Sequence, residues 1–289
     1  MSGAETSSSV DRNQHDLAQE LERIRGLLQT RSPSGGEEHR DDSRVRPAAL
    51  ESLCAAFNLS PFERDVLLLC TGSELDVRFA ALLSGADGNS GRGTPTFSIA
   101  LAALPDAHWS ALAPTGPLRH WRLVEVGAGE SLTTSPLRID ERVLHFLVGV
   151  ATTDERVECL VRELPVPELL PESHRCAVER VAAVLRESGD RSRLPALIQF
   201  SGDVAGQRAV AAASAAAVGL RLAALHPCDL PASAAERETL ARLLEREAVL
   251  GRRAFFIEAH DRDPAENDRA AALAPVSYTH LTLPTKRIV

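Results

Sequence analysis

Lysine and tyrosine are almost missing from the sequence. Arginine is common, but the only lysine is Lys286 and the only tyrosine is Tyr278, both close to the end of the chain. Aromatic residues make up 4% of the 289 residues, so a platform for stacking nucleic-acid bases is not expected. The net charge is −8, whereas tight nucleic-acid binders usually carry a basic face. The composition therefore argues against nucleic acid as a partner.

Other absences indicate the cellular compartment of the protein. None of the five cysteines forms a CxxC pair, and Cys54, Cys70 and Cys159 lie in apolar, helical-looking segments. This predicts buried free thiols and a reducing, cytoplasmic location. No apolar run approaches the roughly 18 residues of a membrane span, and the N-terminus has neither the basic nor the apolar part of a signal peptide. We therefore expect no membrane partner.

The last residues, 276–289, differ in composition from everything before them. Their sequence, "VSYTHLTLPTKRIV", resembles the translated read-through of a common transposon-based sequencing adapter. We exclude this segment from fold reasoning and expect the native protein to continue past Pro275. A natural C-terminal tail is the alternative.

The first 46 residues predict a disordered arm, a short amphipathic helix and a linker. Residues 1–13 are polar, and residues 30–46 form a charged Ser/Gly linker. Between them, the helix at 14–29 carries one apolar stripe, formed by Leu17, Leu21, Ile24 and Leu28. The stripe packs either on its own domain or in an oligomer contact.

Residues 47–150 predict a mainly α-helical domain that ends in a hairpin. One helix begins at a capping box, with Ser60 as N-cap, Pro61 in the first turn and Glu63 three residues after the serine. Further helices follow, and "WRLVEVG" and "SLTTSPLRID" then read as two strands across a glycine-containing turn. Helices followed by one hairpin are the order of a winged-helix domain. Trp109 and Trp121 are predicted to be core residues.

A winged helix can bind DNA or protein, and the charge of this block favours protein. It holds seven arginines against eleven acidic residues, a net charge of −4. The segment "TPTFSIALAAL", taken as the recognition helix, has no basic residue to meet phosphates.

Residues 151–193 predict a helical connector, and from Leu194 strands and helices alternate. "LPALIQF", "RLAALH" and "RAFFIEA" read as strands with helices between them. Such alternation predicts a parallel sheet with helices on both faces. Two isolated loop pairs, His226 with Cys228 and His260 with Asp261, lack the spacing of a metal site, and no metal site is predicted.

The turn "SGDVAGQRAV" lies where a phosphate-binding loop would lie. In the template GxxxxGK[ST], glycines expose backbone N–H groups, lysine reaches the phosphates and a hydroxyl holds Mg²⁺. Gly202 matches the first glycine, but Gln207, Arg208 and Ala209 stand at the other three positions. About 50 residues later, "AFFIEA" places Glu258 where an acidic pair would begin.

On these motifs, residues 194–261 resemble the first half of an AAA+ ATPase module with degraded Walker motifs. The block at 47–150 resembles the N-terminal winged-helix domain of a group of bacterial AAA+ ATPases, some encoded with contractile injection systems. The resemblance implies ATP and Mg²⁺ as cofactors of the full-length protein, a homo-oligomeric ring, and an intact second module beyond Pro275. In this chain it leaves no catalytic residue and four degenerate nucleotide-binding positions: Gly202, Gly206, Arg208 and Glu258.

We therefore expect a mainly α winged-helix domain followed by a partial α/β P-loop (AAA+-like) three-layer domain at 194–275. The expected function is a protein-binding fragment of an ATPase that remodels or assembles protein partners. The alternatives are a plain strand–helix turn without a nucleotide role, and a non-enzymatic winged-helix adaptor or transcription-regulator-like protein.

Overall fold

The computed structural model describes residues 2–30, 47–86, 93–188, 198–258 and 286–287. The chain divides into two compact units, residues 1–152 and 153–289. No helix within the described ranges is both long and apolar enough to cross a membrane.

The described part of the first unit is helical and carries a β-hairpin. Its helices are α1 (Ser2–Thr30), α2 (Ala48–Phe57), α3 (Pro61–Leu75), α4 (Val77–Ala86), α5 (Phe97–Ala103), α6 (Pro117–His120) and α7 (Glu141–Leu147), with a 3₁₀ helix at Trp109–Leu112. Strands β1 (Val124–Val126) and β2 (Leu137–Ile139) pair antiparallel, with Val124 opposite Ile139. An isolated antiparallel β-bridge pairs Thr96 with Pro136, the residue that precedes β2.

Helix α3 is the centre of this unit. The predicted capping box is present: the Glu63 N–H donates to Ser60 Oγ (3.2 Å), and the Ser60 N–H donates to Glu63 Oε2 (2.9 Å). The leucines of "VLLLC" are fully buried although they lie on several faces of the helix. A helix that is apolar all round must be enclosed by its neighbours, which explains its central place.

Helix α1 corrects the prediction of a disordered arm at residues 1–13, because the helix already begins at Ser2. Tertiary hydrogen bonds hold its first half: Asn13 Nδ2 donates to the Leu147 carbonyl (2.8 Å), and the Ala49 N–H donates to Asn13 Oδ1 (3.1 Å). Further along, Arg23 donates to Asp65 of α3 (3.0 Å). The predicted stripe packs on this unit, with its buried residues being Leu17, Leu21 and Ile24.

The second unit combines helices with a small sheet. Its helices are α8 (Glu155–Glu158), α9 (Glu172–Ser188), α10 (Val204–Ala217) and α11 (Ala234–Leu250), and its strands are β3 (Val161–Leu164), β4 (Ile198–Gln199), β5 (Arg221–Leu225), β6 (Arg253–Ile257) and β7 (Lys286–Arg287). The sheet has the order β3-β5-β6, in which β5 and β6 are parallel and β3 is antiparallel to β5. β4 pairs in parallel with β7.

The parallel β5–β6 pair and its crossover helix α11 confirm that part of the predicted alternation. Successive residues of β5 and β6 point to opposite faces, and apolar clusters cover both: α10 packs on Leu222 and Phe256, and α11 packs on Leu225.

Strand β3 corrects the helical connector predicted for 151–193. Its sequence "VREL" has two charged central residues at the sheet edge, so it shows no apolar alternation. The tail at 276–289 lies outside the described residues except for β7.

A buried ion pair joins α8 to α11. Asp154 caps α8 and accepts hydrogen bonds from Arg156 and from Arg246, whose side chain is fully buried. Burial, the largest influence, raises the pKa of Asp154, but the hydrogen bonds from Arg156 and the charges of both arginines outweigh it. The pKa of Asp154 therefore lies below its ordinary value.

Candidate functional site

The turn between β4 and α10 is the candidate taken from the sequence. Gly202 has a φ of +129°, a conformation that residues with a side chain rarely adopt, and nothing lies near the position of a Cβ atom. Its glycine is therefore needed for backbone conformation. Helix α10 begins at Val204, directly after Asp203, which serves as its N-cap.

The cap changes what the turn can bind. Asp203 Oδ1 accepts a hydrogen bond from the Gly206 N–H at 2.7 Å, and Gln207 Nε2 donates to the Gly202 carbonyl at 2.9 Å. A phosphate loop needs such N–H groups to be directed at the ligand. Here a carboxylate already occupies the helix N-terminus, where its negative charge opposes a phosphate.

Arg208 and Glu258, 50 residues apart in sequence, are brought together. The guanidinium of Arg208 donates from Nε to Glu258 Oε1 (2.6 Å) and from Nη2 to Oε2 (2.9 Å). Arg162 of β3 approaches the same carboxylate at 3.4 Å. The side chain of Glu258 is 6% exposed and that of Arg208 is 38% exposed. Both carboxylate oxygens of Glu258 are therefore engaged by arginine.

These residues do not fit a triphosphate with Mg²⁺. Arg208 is neutralised by Glu258, Asp203 holds the Gly206 N–H, and Ala209 has no hydroxyl for a metal. Within the described ranges, no three His, Cys, Asp or Glu side chains cluster as metal ligands. Gly202 and Gly206 shape the turn, and only Arg208 and Glu258 of the four predicted residues contact each other.

The winged-helix surface differs from the prediction in its recognition helix. The predicted segment contains α5, capped by Thr96, but the helix directly before the hairpin is α6. This helix does carry basic residues, Arg119 and His120, and Arg119 Nη1 donates to the Leu112 carbonyl at 2.7 Å. It has four residues, about 6 Å of helix, which is too short to follow a major groove.

Next to α6 lies a cleft that the sequence reasoning missed. The aromatic cleft, as we name it, has a volume of about 490 Å³ and is lined by Phe57, Asn58, Glu63, His108, Ser110, Ala113, Thr115, Gly116, Pro117 and Trp121. Trp121 is half-buried in its wall, and Trp109 nearby is 66% exposed, so the core prediction for Trp109 is wrong. The sequence offered one signal for the exposure of Trp109: it lies between His108 and Ser110, in a segment without apolar periodicity.

The cysteine prediction holds in part. Cys70 is buried, and burial raises the pKa of its thiol, whereas Cys159 is exposed because it follows the short helix α8 instead of lying inside a helix. Of the two loop pairs, His226 accepts from the Cys228 N–H, and residues 260 and 261 lie outside the described ranges.

Comparison with known proteins supports the winged-helix prediction. A family model described as a winged helix domain, variant, matches residues 2–160. Neither the curated proteins nor the solved structures gave a significant match. The family match ends before the β4–α10 turn, so it does not extend to the AAA+ resemblance. Because it covers more than half of the sequence, the chain belongs to the winged helix domain, variant, family.

Proposed function

We propose that this chain is the N-terminal part of an AAA+ ATPase-like protein, in which the winged-helix domain binds a protein partner. The module that follows supports assembly without hydrolysing ATP. Hydrolysis by an intact module elsewhere in the full-length protein, acting as a ring, would drive remodelling or assembly of the partner.

The contact between Arg208 and Glu258 carries the proposal for the second module. It joins a residue at the start of a helix, after a strand, to an acid at the end of a second strand. This juxtaposition is what a P-loop core requires of its phosphate-binding and acidic positions. The two charges satisfy each other, and Asp203 takes the helix N-terminus, which supports a role in assembly instead of catalysis.

The surface next to the hairpin supports protein over DNA as the partner. The block at 47–150 has a net charge of −4, and the wing loop "GAGESLTTSP" has no basic residue. DNA binding depends on basic residues that neutralise phosphates, and one short α6 cannot supply a groove-reading helix.

Two measurements on the full chain test the proposal. We expect no phosphate release from MgATP above that of buffer, and no duplex DNA retained at sub-micromolar protein in a low-salt filter-binding assay. ATP hydrolysis that is lost in Glu258→Gln would overturn the proposal for the second module. Sub-micromolar DNA affinity that falls steeply with salt would overturn protein as the partner.

A further inference from the structure

The aromatic cleft contains a buried carboxylate, Glu63, for which the described part of the chain supplies no ion-pair partner. Glu63 is 4% exposed and lines the cleft, and its Oε2 accepts the hydrogen bond from the Ser60 N–H. Among the residues that the structure describes, none forms an ion pair with Glu63. Asp65, two positions further along α3 and equally buried, is paired with Arg23.

This arrangement leaves the negative charge of Glu63 available to a cationic ligand. A buried carboxylate is costly unless it is paired or well hydrogen-bonded. The N-terminus of α3 and the capping hydrogen bond stabilise part of the charge of Glu63. Its second oxygen, Oε1, accepts no hydrogen bond from the described residues, so it remains available to an incoming cation.

The walls of the cleft suit the same kind of ligand. The rings of Phe57 and Trp121 lie 5.4 Å apart, and His120 meets Trp121 edge-on at 4.7 Å, which holds the indole in place. Aromatic faces attract cations, and tryptophan does so most strongly. His108 is fixed on the remaining side, because its two ring nitrogens contact Ser60 Oγ and Ser110 Oγ, each at 2.8 Å.

We infer that the aromatic cleft binds an arginine or lysine side chain presented by a partner protein. The cation would pair with Glu63 while its aliphatic stem lies along Trp121. The volume of about 490 Å³ is in the range of ligand pockets and leaves room for backbone on either side of the basic residue. The negative charge of the domain complements such a segment, and exposed Trp109 offers apolar contact nearby.

This inference rests on the proposed protein-binding function and specifies its chemistry. Three capped tripeptides, Gly-Arg-Gly, Gly-Lys-Gly and Gly-citrulline-Gly, are suitable probes, because citrulline keeps the shape of arginine without its charge. The chain has two tryptophans, so its NMR spectrum has two indole N–H signals, and Trp109→Phe assigns them. We expect the Trp121 signal to shift saturably with the arginine or lysine peptide, and the citrulline peptide to bind at least about tenfold more weakly.

Glu63→Gln is the decisive variant because glutamine also serves in a capping box, so α3 keeps its cap while the charge is lost. We expect it to weaken the arginine or lysine peptide at least about tenfold, as citrulline does. Glu141→Gln, at an exposed position on the same domain, is the matched control and should bind normally. Equal binding of the citrulline peptide, unchanged binding by Glu63→Gln, or an equal loss in Glu141→Gln would overturn the inference. So would tighter binding of free arginine than of the peptide, which would indicate a small-molecule site.

The outcomes also separate this inference from the proposed function. If no peptide shifts the Trp121 signal and DNA is not bound, the partner protein uses another surface and only the cleft inference fails. If the chain binds DNA with sub-micromolar affinity, the protein-binding function fails whatever the peptides do.

Discussion

Replacing Arg208 by methionine should destabilise the second unit by about 1.5–3 kcal/mol. Breaking a fully buried ion pair costs about 3–5 kcal/mol, because one charge is left without its partner. Glu258 is that buried charge, but Arg208 is 38% exposed and Arg162 remains at 3.4 Å, so solvent and the second arginine reduce the loss. At an m-value of about 1–3 kcal/mol/M, the midpoint of urea unfolding should fall by about 1 M.

A double-mutant cycle isolates this pair. Arg208→Met, Glu258→Gln and the double variant are unfolded in urea and followed by far-UV circular dichroism, with and without millimolar MgATP. We expect a coupling energy of about 1–3 kcal/mol and no change of the wild-type midpoint with MgATP.

The exposed pair Arg175–Glu172 of helix α9, at 3.1 Å with side chains 64% and 82% exposed, is the control. The cycle of Arg175→Met and Glu172→Gln should couple by less than about 1 kcal/mol. The reasoning is refuted if Arg208 and Glu258 couple no more strongly than this surface pair. Stabilisation of the wild type by MgATP would show that the turn binds nucleotide despite its internal contacts.

Three further predictions concern packing and ionisation. Because burial raises the pKa of its thiol, Cys70 should resist alkylation until the chain unfolds, whereas exposed Cys159 should react at once, and mass spectrometry of digested peptides will show the order. Gly72→Ala should lower the free energy of unfolding by about 1–3 kcal/mol, because the added Cβ would lie 2.5 Å from the ring of a buried phenylalanine. Gly26→Ala has open space around it and should raise the free energy of unfolding by about 0.5–1 kcal/mol. Urea unfolding of both variants measures these changes. Since the folded pKa of Asp154 is lowered, its ion pairs stabilise the protein above the ordinary aspartate pKa, and this stability is lost as the pH falls through the folded pKa. Asp154→Asn should remove this dependence on acid and lower the free energy of unfolding by about 3–5 kcal/mol. An acid unfolding transition that is the same in the variant as in the wild type would contradict the assignment.

Features set by local sequence were predictable. The cap at Ser60 needs only the residues next to it, and the β5–α11–β6 unit follows from continuous apolar strands separated by a long helix. The hairpin after the helices was equally visible, and the family match supports the winged-helix prediction drawn from it. In these cases the chemistry and the pattern lie within one short segment.

Features that depend on distant contacts were not predictable. Polar residues near the N-terminus become helical because Asn13 finds partners more than 30 residues away. β3 is placed by pairing with β5, although its own residues lack a strand pattern. Within the candidate turn, the sequence indicated a missing lysine, but only the fold shows that Arg208 pairs with Glu258. The cleft beside Trp121, in the first unit, was likewise visible only in the fold.

The docking of α1 determines where the first unit can be cut. Burying Leu17, Leu21 and Ile24 contributes on the order of 5–9 kcal/mol, which rivals the whole stability of a typical domain. A truncated chain that begins at Pro47 would lose this contribution, leave Asp65 without Arg23, and expose the apolar surface that the helix covers. Such a chain would be prone to aggregate, so shortened forms used for binding or crystallisation should keep the N-terminal 30 residues.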